Sequence, residues 1–589
     1  MYAKFYSIKN STDKQVYILQ SNGFKRKPII IEKHPSYNAL LEQIKPLTLK
    51  EYIDTIAKKV KDETPTPIFR TIYFDGTTDK YYKNETKNAG YLFLERAYYD
   101  LKIESFINSY KFNNNLKVKY SLNDALRLIT YSHVIEPCSK FRTSKKINDY
   151  VENFDLSDDD LYDFLDKIDD FQNDLSKKIT KKFINQFGSD ESIYYDCTNF
   201  YFESQYADDE DGLRDYGVEK NHRPDPIVGY GLLTSGKGYP ISSITYRGNK
   251  SEKPTLKDAI LDTDEEVSRA KIIVADCGLN TSNNKDFLNQ TDRKYIFCQS
   301  ILQLSKEAQE EVIKDDGYVI YYEDSQKRKM KKVKSIFIKR SNGKYERIVC
   351  KFDTDSYLFT MKTLEKRIEK ANYFIKNPAK LNRSQATDGK QYITKIVYDK
   401  KTGEIIESDS ILTLNEEMIE KEKKFAGYIC YSTNIFSKDK TSEMLVKEYV
   451  ENGYTYIEKS DLEIIKIAGK RVEIEDFFRI MKTNMKARPI FVRKPAHIKA
   501  HLFTVYLAIC LMSHLKLKYN IKGTNEEFFT SLRNLTFIKH SALKEEYYDV
   551  ANRNELLEDL AKQMNIDKFN YPNFETTMIK KMINQFKNR

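Results

Sequence analysis

The sequence predicts a mixed α/β fold, a sheet of mixed strand direction with helices on its faces, and three patterns predict it. Apolar, β-favouring runs at 192–202, 229–234 and 241–246 follow one another closely, with Gly236 and Gly238 between the last two, as three antiparallel strands do. Helix-like and strand-like stretches then alternate: a helix near 255–270, a strand at 271–276, a helix near Asn284 and a strand at 294–299. Ahead of these, residues 90–187 carry apolar residues at helical spacing, most clearly over 122–133 and 156–184.

In chain order, residues 1–70 read as a small β/α region. Strands at 15–19 and 27–32 flank Asn22-Gly23, a helix covers 47–60, and Pro65 and Pro67 make a linker. Residues 71–188 form a mainly helical region. Asp158, Asp159 and Asp160 open one of its helices, where acids suit the dipole, so they read as a capped helix start. Lys140 and Arg142, with Lys145 and Lys146, make a basic patch on this part, a candidate for contacting nucleic acid.

The sheet core takes residues 189–301 and resumes at 441–515. The gap between them is far too long for a loop, so a β-rich domain is expected at 302–440, with strands at 318–322, 333–339, 345–352 and 391–398 and hairpin turns at Asn342-Gly343 and Thr402-Gly403. Its basic run, Lys327, Arg328, Lys329, Lys331, Lys332 and Lys334, fits either a lysine-guarded edge strand or a contact with a nucleic-acid backbone. Residues 516–589 read as a helical tail.

Composition bounds the function. The 589 residues hold 98 Lys+Arg against 87 Asp+Glu, a net charge of +11 that favours polyanionic partners without naming DNA. No tract reaches the roughly 18 apolar residues of a membrane span, and 502–512 is short enough for a core helix. The amino terminus lacks a signal-peptide segment, so a soluble cytoplasmic protein is expected. The seven cysteines are dispersed with no Cys-x2-Cys pair, so reduced, mostly buried thiols are expected rather than zinc fingers or a disulfide framework. His497 and His501 stand four apart on a helix without an evident third ligand, so they read as structural or DNA-facing. No phosphate-binding glycine loop points to a nucleotide cofactor.

The chemistry concentrates in three segments. Residues 471–482 form a helix with two faces: Ile474, Phe477, Phe478, Met481 and Met485 make an apolar stripe, while Arg471, Glu475, Arg479 and Lys482 align on another side. Surface ion pairs would explain that charged face. Two further acids argue for more: Asp196 lies in the middle of the strand at 192–202, and Asp276 ends the strand at 271–276. Carboxylates on buried strands are costly unless paired or bound to metal, and three acids are what a hard cation such as Mg2+ takes.

At these residues the sequence resembles the DDE transposases of bacterial insertion sequences, in the branch of insertion sequence family four with a Y-x2-R-x3-E-x6-K signature. Arg471, Glu475 and Lys482 match it at the right spacing, while Ala468 stands where the tyrosine belongs. Val274-Ala275-Asp276-Cys277-Gly278-Leu279 resembles the context of the second acid. Further likeness lies in His222-Arg223-Pro224-Asp225, in Gly248-Asn249 with Glu252 and Thr255, and in the segment Lys486, Arg488 to Arg493.

The resemblance runs from about residue 120 to about 520 and implies an RNase H-like catalytic core with an inserted β-rich domain. It implies catalytic, metal-holding Asp196, Asp276 and Glu475 around two Mg2+ ions, for which Mn2+ can substitute. DNA contacts would come from Arg471, Arg479, Lys482, Lys486, Arg488, His222, Arg223, Lys140 and Arg142. The partners implied are terminal inverted repeats and target DNA, bound by a homodimer, with strand transfer of a 3'-hydroxyl as the reaction. A nuclease of the same fold and a non-catalytic DNA-binding descendant are the alternatives.

Overall fold

The computed structural model describes residues 2–7, 11–20, 29–63, 83–204, 206–217, 225–263, 272–322, 329–340, 343, 345–377, 389–397, 410–438, 447, 450–451, 453, 455–542, 545–566 and 574–587. It divides into two compact units. The smaller comprises Met1–Thr86, Phe537–Ala551 and Ile566–Met582. It contains the antiparallel sheet Tyr2–Ser7, Lys14–Gln20 and Ile29–His34, one strand more than the sequence predicts, followed by helices Tyr37–Gln43 and Leu49–Glu63. The expected linker prolines lie outside the described residues. Residues 516–589 are not an all-helical tail: Thr536–Ala542 and Glu545–Ala551 are strands in a four-stranded sheet with Lys83–Asn88 and Phe574–Glu575. Their β-favouring residues, Thr536, Phe537 and Ile538 in one strand and Tyr547, Tyr548 and Val550 in the other, explain the difference, since they outweigh the helical spacing around them.

The larger unit is built on one nine-stranded sheet. Its strands are β1 Ser192–Tyr201, β2 Ile227–Ser235, β3 Pro240–Arg247, β4 Ile272–Ala275, β5 Lys294–Gln299, β6 Val319–Tyr322, β7 Met330–Lys339, β8 Tyr345–Asp353 and β9 Tyr428–Thr433. They lie in the order β6-β7-β8-β9-β5-β4-β1-β2-β3. β1, β4 and β5 pair in parallel, and every other neighbouring pair is antiparallel. The three antiparallel strands and the alternating helix and strand expected from the sequence are all present. The helix expected at 255–270 is Thr255–Leu261, beyond which 264–271 lie outside the described residues.

Three of the four strands expected in an inserted domain instead extend this same sheet, while the fourth, Ile393–Val397, pairs with Ser410–Leu414 in a separate two-stranded sheet. β9 pairs antiparallel with the free edge of β5, and β8, β7 and β6 continue outward. An unpaired edge of backbone donors and acceptors is the cheapest place to add strands, which is why the insertion fuses with the core sheet. The rest of the insertion packs as a satellite cluster of Leu364, Ala371, Tyr392 and Ile419. In the basic run, Lys332 and Lys334 turn inward over the ring of Tyr318, 4.6 Å from its centroid in each case, and Lys331 faces Asp353 at 3.5 Å. Lys327 and Arg328 lie outside the described residues.

Helices cover the sheet. The amphipathic stretch at 156–184 divides at Asp169–Phe171 into α1 Asp158–Ile168 and α2 Gln172–Phe187. The start of α1 is a capping box between Ser157 and Asp160, as the acid cluster predicts. On the face carrying Tyr194, Val274 and Ile296 lies α3 Asp461–Gly469, whose Ile464 and Ala468 join their core. The next helix, α4, spans Val472–Lys482 and is followed by α5, Pro495–Tyr519. α5 is the one helix among the described residues long and apolar enough to cross a membrane, yet 94% of its apolar window is buried inside the protein. It is a core helix, and Tyr506 on it donates to the carbonyl of Ile241 in β3 at 2.8 Å.

Candidate active site

The register of β1 and β4 fixes the first relationship. Ser192 to Tyr195 face Ile272 to Ala275 in parallel, one to one, so the next rung sets Asp196 beside Asp276. Neighbouring strands lie about 4.8 Å apart. Side chains alternate between faces, and Tyr194 and Val274, two residues earlier, belong to the core beneath α3. Both acids therefore project on the face that α3 and α4 cover. Asp196 is the one half-buried position between buried neighbours, and its Oδ1 accepts from the Cys197 amide at 2.8 Å. Asp276 closes β4 just before the tight turn Cys277–Leu279.

α4 brings the third acid. Its apolar side buries Ile474, Phe478, Ile480 and Met481, roughly 1.5–3 kcal/mol each, with Phe478 edge-on to Tyr230 of β2 at 6.5 Å between ring centres. Phe477 is only partly buried, and Met485 is buried beyond the helix end. The two ends of α4 are tied down. Tyr194 donates to the Ile467 carbonyl at 2.8 Å, and Lys470 donates to the Gly236 carbonyl at 3.0 Å. At the far end Lys482 donates to the hydroxyl of Thr198, two residues past Asp196 on the same face of β1. Glu473 faces the turn at Gly238, whose φ of +82° favours glycine there.

Arg471 stands at the junction of α3 and α4 and joins the acids. Its guanidinium reaches Glu475 Oε1 at 2.9 Å and Asp276 Oδ1 at 3.4 Å. Burial works against that charge, and a helix N-terminus is a poor place for a cation. Even so, the combined pull of Asp276, Glu475 and Asp196 holds the guanidinium above its ordinary range. All three acids thus act on one cation. Their oxygens do not close to within 4.8 Å of one another. Among the described residues the group that does is Asp276, Cys277 and Cys298. The acid set fits a divalent ion in its chemistry, since three half-exposed carboxylates converge where a cationic group already sits. Asp196, Asp276 and Glu475 are the residues that would hold it.

Residues 231–511 match the family model for the transposase DDE domain. That match, over just under half of the chain, supports a DDE transposase; transposases of this family act on DNA and generally use divalent metals. The DDE-domain segment contains Asp276, Glu475, Arg471 and Lys482 and begins after Asp196. No curated protein matches the chain.

The remaining expected contacts are scattered. Arg479 pairs with Asp476 on the exposed side of α4 at 2.9 Å. Lys486 is exposed after the helix, and Arg488 lies over the Tyr201 ring at 5.5 Å with a buried Nη1 that lacks a hydrogen-bond partner. Arg142 is exposed. Lys140 is not part of a surface patch: it is 3% exposed, with its ammonium 3.4 Å from His133, and burial pushes its pKa down to about 7. His222 and Arg223 lie outside the described residues. His497 pairs with Asp166 at 2.8 Å, and His501 meets the Ala487 carbonyl at 3.1 Å, so both are structural.

Sequence reasoning missed two neighbours of the acids. Continuing the β4–β5 register places Cys298 beside Asp276, and β9 places Tyr431 opposite Cys298. Only the pairing of strands distant in sequence makes them visible.

Proposed function

We propose that the chain is a transposase that cuts DNA at the ends of a mobile element and joins the freed 3'-hydroxyl to target DNA. The observation carrying this reading is the level placement of Asp196 and Asp276 on adjacent parallel strands, with Asp276 and Glu475 gathered on Arg471. Two Mg2+ ions held by Asp196, Asp276 and Glu475 would supply activation of the attacking oxygen and stabilisation of the leaving oxygen. The chain's own residues do the rest. Once the acids turn to the ions, the Arg471 fork is free to grip a phosphate, and Lys482, held at Thr198, lies along the same face as a point charge. Arg488, with its unmet buried donor, and exposed Lys486 extend that positive side past the helix.

The partners in this reading are terminal inverted repeats and target DNA, bound by two copies of the chain on two ends. The test is incubation of the purified chain with a plasmid carrying the element's flanking sequences, with and without Mg2+. Metal-dependent nicks at the element ends and joined product from a pre-cut end are expected, both lost in Asp196→Asn. Nicks without joining would favour a nuclease, and binding without nicks a non-catalytic DNA-binding protein.

A further inference from the structure

Beside the acids lies a thiol pair that the proposed chemistry does not use. Cys277 Sγ and Cys298 Sγ are 2.7 Å apart, and both residues are half-buried. Their positions follow from the sheet. β4 and β5 pair in parallel from Ile272 with Lys294 to Ala275 with Phe297, so Cys298 is level with Asp276 and Cys277 is one step beyond. A lateral spacing of about 4.8 Å and a step of about 3.3 Å place their Cα atoms about 6 Å apart, within the span a disulfide bridges.

We propose that Cys277 and Cys298 form an oxidation site, a thiol pair that closes reversibly into a disulfide beside Asp276. The oxidant class is a peroxide. The Cys277 thiolate attacks one peroxide oxygen, breaking the O–O bond and releasing hydroxide; the Cys298 thiolate then attacks the sulfenic sulfur and expels a second hydroxide. The two hydroxides take up the two thiol protons as water, and two electrons pass from sulfur to peroxide. The remaining cysteines are less suited. Cys350 and Cys430 face each other across β8 and β9 but are fully buried, as is Cys510; Cys197 is 1% exposed, and Cys138 lies beside Thr143.

Closure ties the turn Cys277–Leu279 to the end of β5 and fixes the backbone that carries Asp276. That carboxylate must leave Arg471 to take up a cation, so a fixed turn slows the site. This consequence for activity rests on the phosphoryl-transfer reading; the chemistry of the pair does not.

The full-length chain is exposed to hydrogen peroxide, its free thiols are alkylated, and its peptides are mapped by mass. A Cys277–Cys298 linked peptide is expected, with Cys350 and Cys430 alkylated only after denaturation. Mg2+-dependent cleavage is expected to fall at least tenfold and to return with dithiothreitol, while Cys298→Ser loses less than twofold under the same exposure. Free or unlinked oxidised Cys277 and Cys298 in the parent chain would overturn the site, and so would a Cys298→Ser variant as sensitive as the parent. A linked pair that leaves cleavage unchanged would overturn its effect on Asp276. A reduced chain that never cuts DNA counts against the transposase reading alone, because the peptide map needs neither DNA nor metal.

Discussion

Asp196 and Asp276 occupy one rung of two neighbouring parallel strands, eighty positions apart in the chain and projecting on one face. The sheet's hydrogen bonds therefore set the distance between the two carboxylates, and little is left to loop conformation. Asp196→Glu keeps the charge and moves it by one methylene. A displacement of about 1 Å at a reacting centre can cost about a hundredfold, and a loss of that order in cleavage rate is expected with an unchanged melting temperature. Full activity in this variant would mean that Asp196 is not held against the reacting atoms.

Arg471 pairs with both Asp276 and Glu475. Arg471→Ala leaves those acids facing each other, so a divalent ion should bind more tightly, several-fold lower in the Mg2+ needed for half-maximal loading by calorimetry. The same variant, and Arg471→Lys with its point charge, should cut DNA roughly ten- to a hundredfold more slowly because the planar fork is gone. Unchanged Mg2+ affinity in Arg471→Ala would show that the guanidinium does not compete for the acids.

The elements that carry the candidate residues were legible in the sequence, and their long-range pairing was not. The helix carrying Arg471, Glu475 and Lys482 announces itself by a 3.6-residue apolar period, and the strands of Asp196 and Asp276 by runs of β-favouring residues. Nothing in either run states that they are neighbours, because register is a property of two strands. For the same reason the 302–440 segment read as a separate domain, although most of its strands continue the core sheet from β5. Lys140 misled for a different reason: a basic tetrad looks like a surface, but at this point in the fold the helix Lys140–Lys145 turns its first residue toward His133 and His501.

Phe478 anchors α4 to β2 and is 6% exposed. Phe478→Ala should destabilise the larger unit by about 3–5 kcal/mol, the usual cost of emptying a buried aromatic site. Chemical denaturation measures it. A change below about 1 kcal/mol would show that α4 is held by its end contacts at Lys470 and Lys482 rather than by its apolar side.

Stability should fall in mild acid. His501 is part-buried, with its pKa pushed down to about 3 by desolvation and then by nearby Lys140, and burial also holds His133 well below its ordinary value. A free imidazole titrates near 6.5, so between these values the unfolded chain binds a proton that the folded chain refuses. The contribution is complete above pH 6.5 and is lost as pH drops toward 3, to the extent of about 4–5 kcal/mol for His501 alone. His501→Gln, which keeps a donor for the Ala487 carbonyl, should flatten the stability profile across that window. An equal slope in parent and variant would remove His501 as its source.

Ala468 stands where the signature that the sequence resembles carries tyrosine, and its surroundings give a physical reason. It is 4% exposed in the core formed with Tyr194, Val274, Ile296 and Ile464, on the last turn of α3. The neighbouring space is taken by aromatic side chains from the sheet: Tyr194 sends its hydroxyl to the Ile467 carbonyl, and Tyr431 packs against the same cluster. Restoring the signature with Ala468→Tyr would force a ring into a filled core. The expected result is a loss of at least about 1–3 kcal/mol in stability and no gain in cleavage. The double variant Tyr194→Ala, Ala468→Tyr frees part of that volume and should recover a share of the loss, so non-additivity in a double-mutant cycle reads out the steric conflict directly. Additive effects would place the incoming ring elsewhere, away from the wall of the acid site.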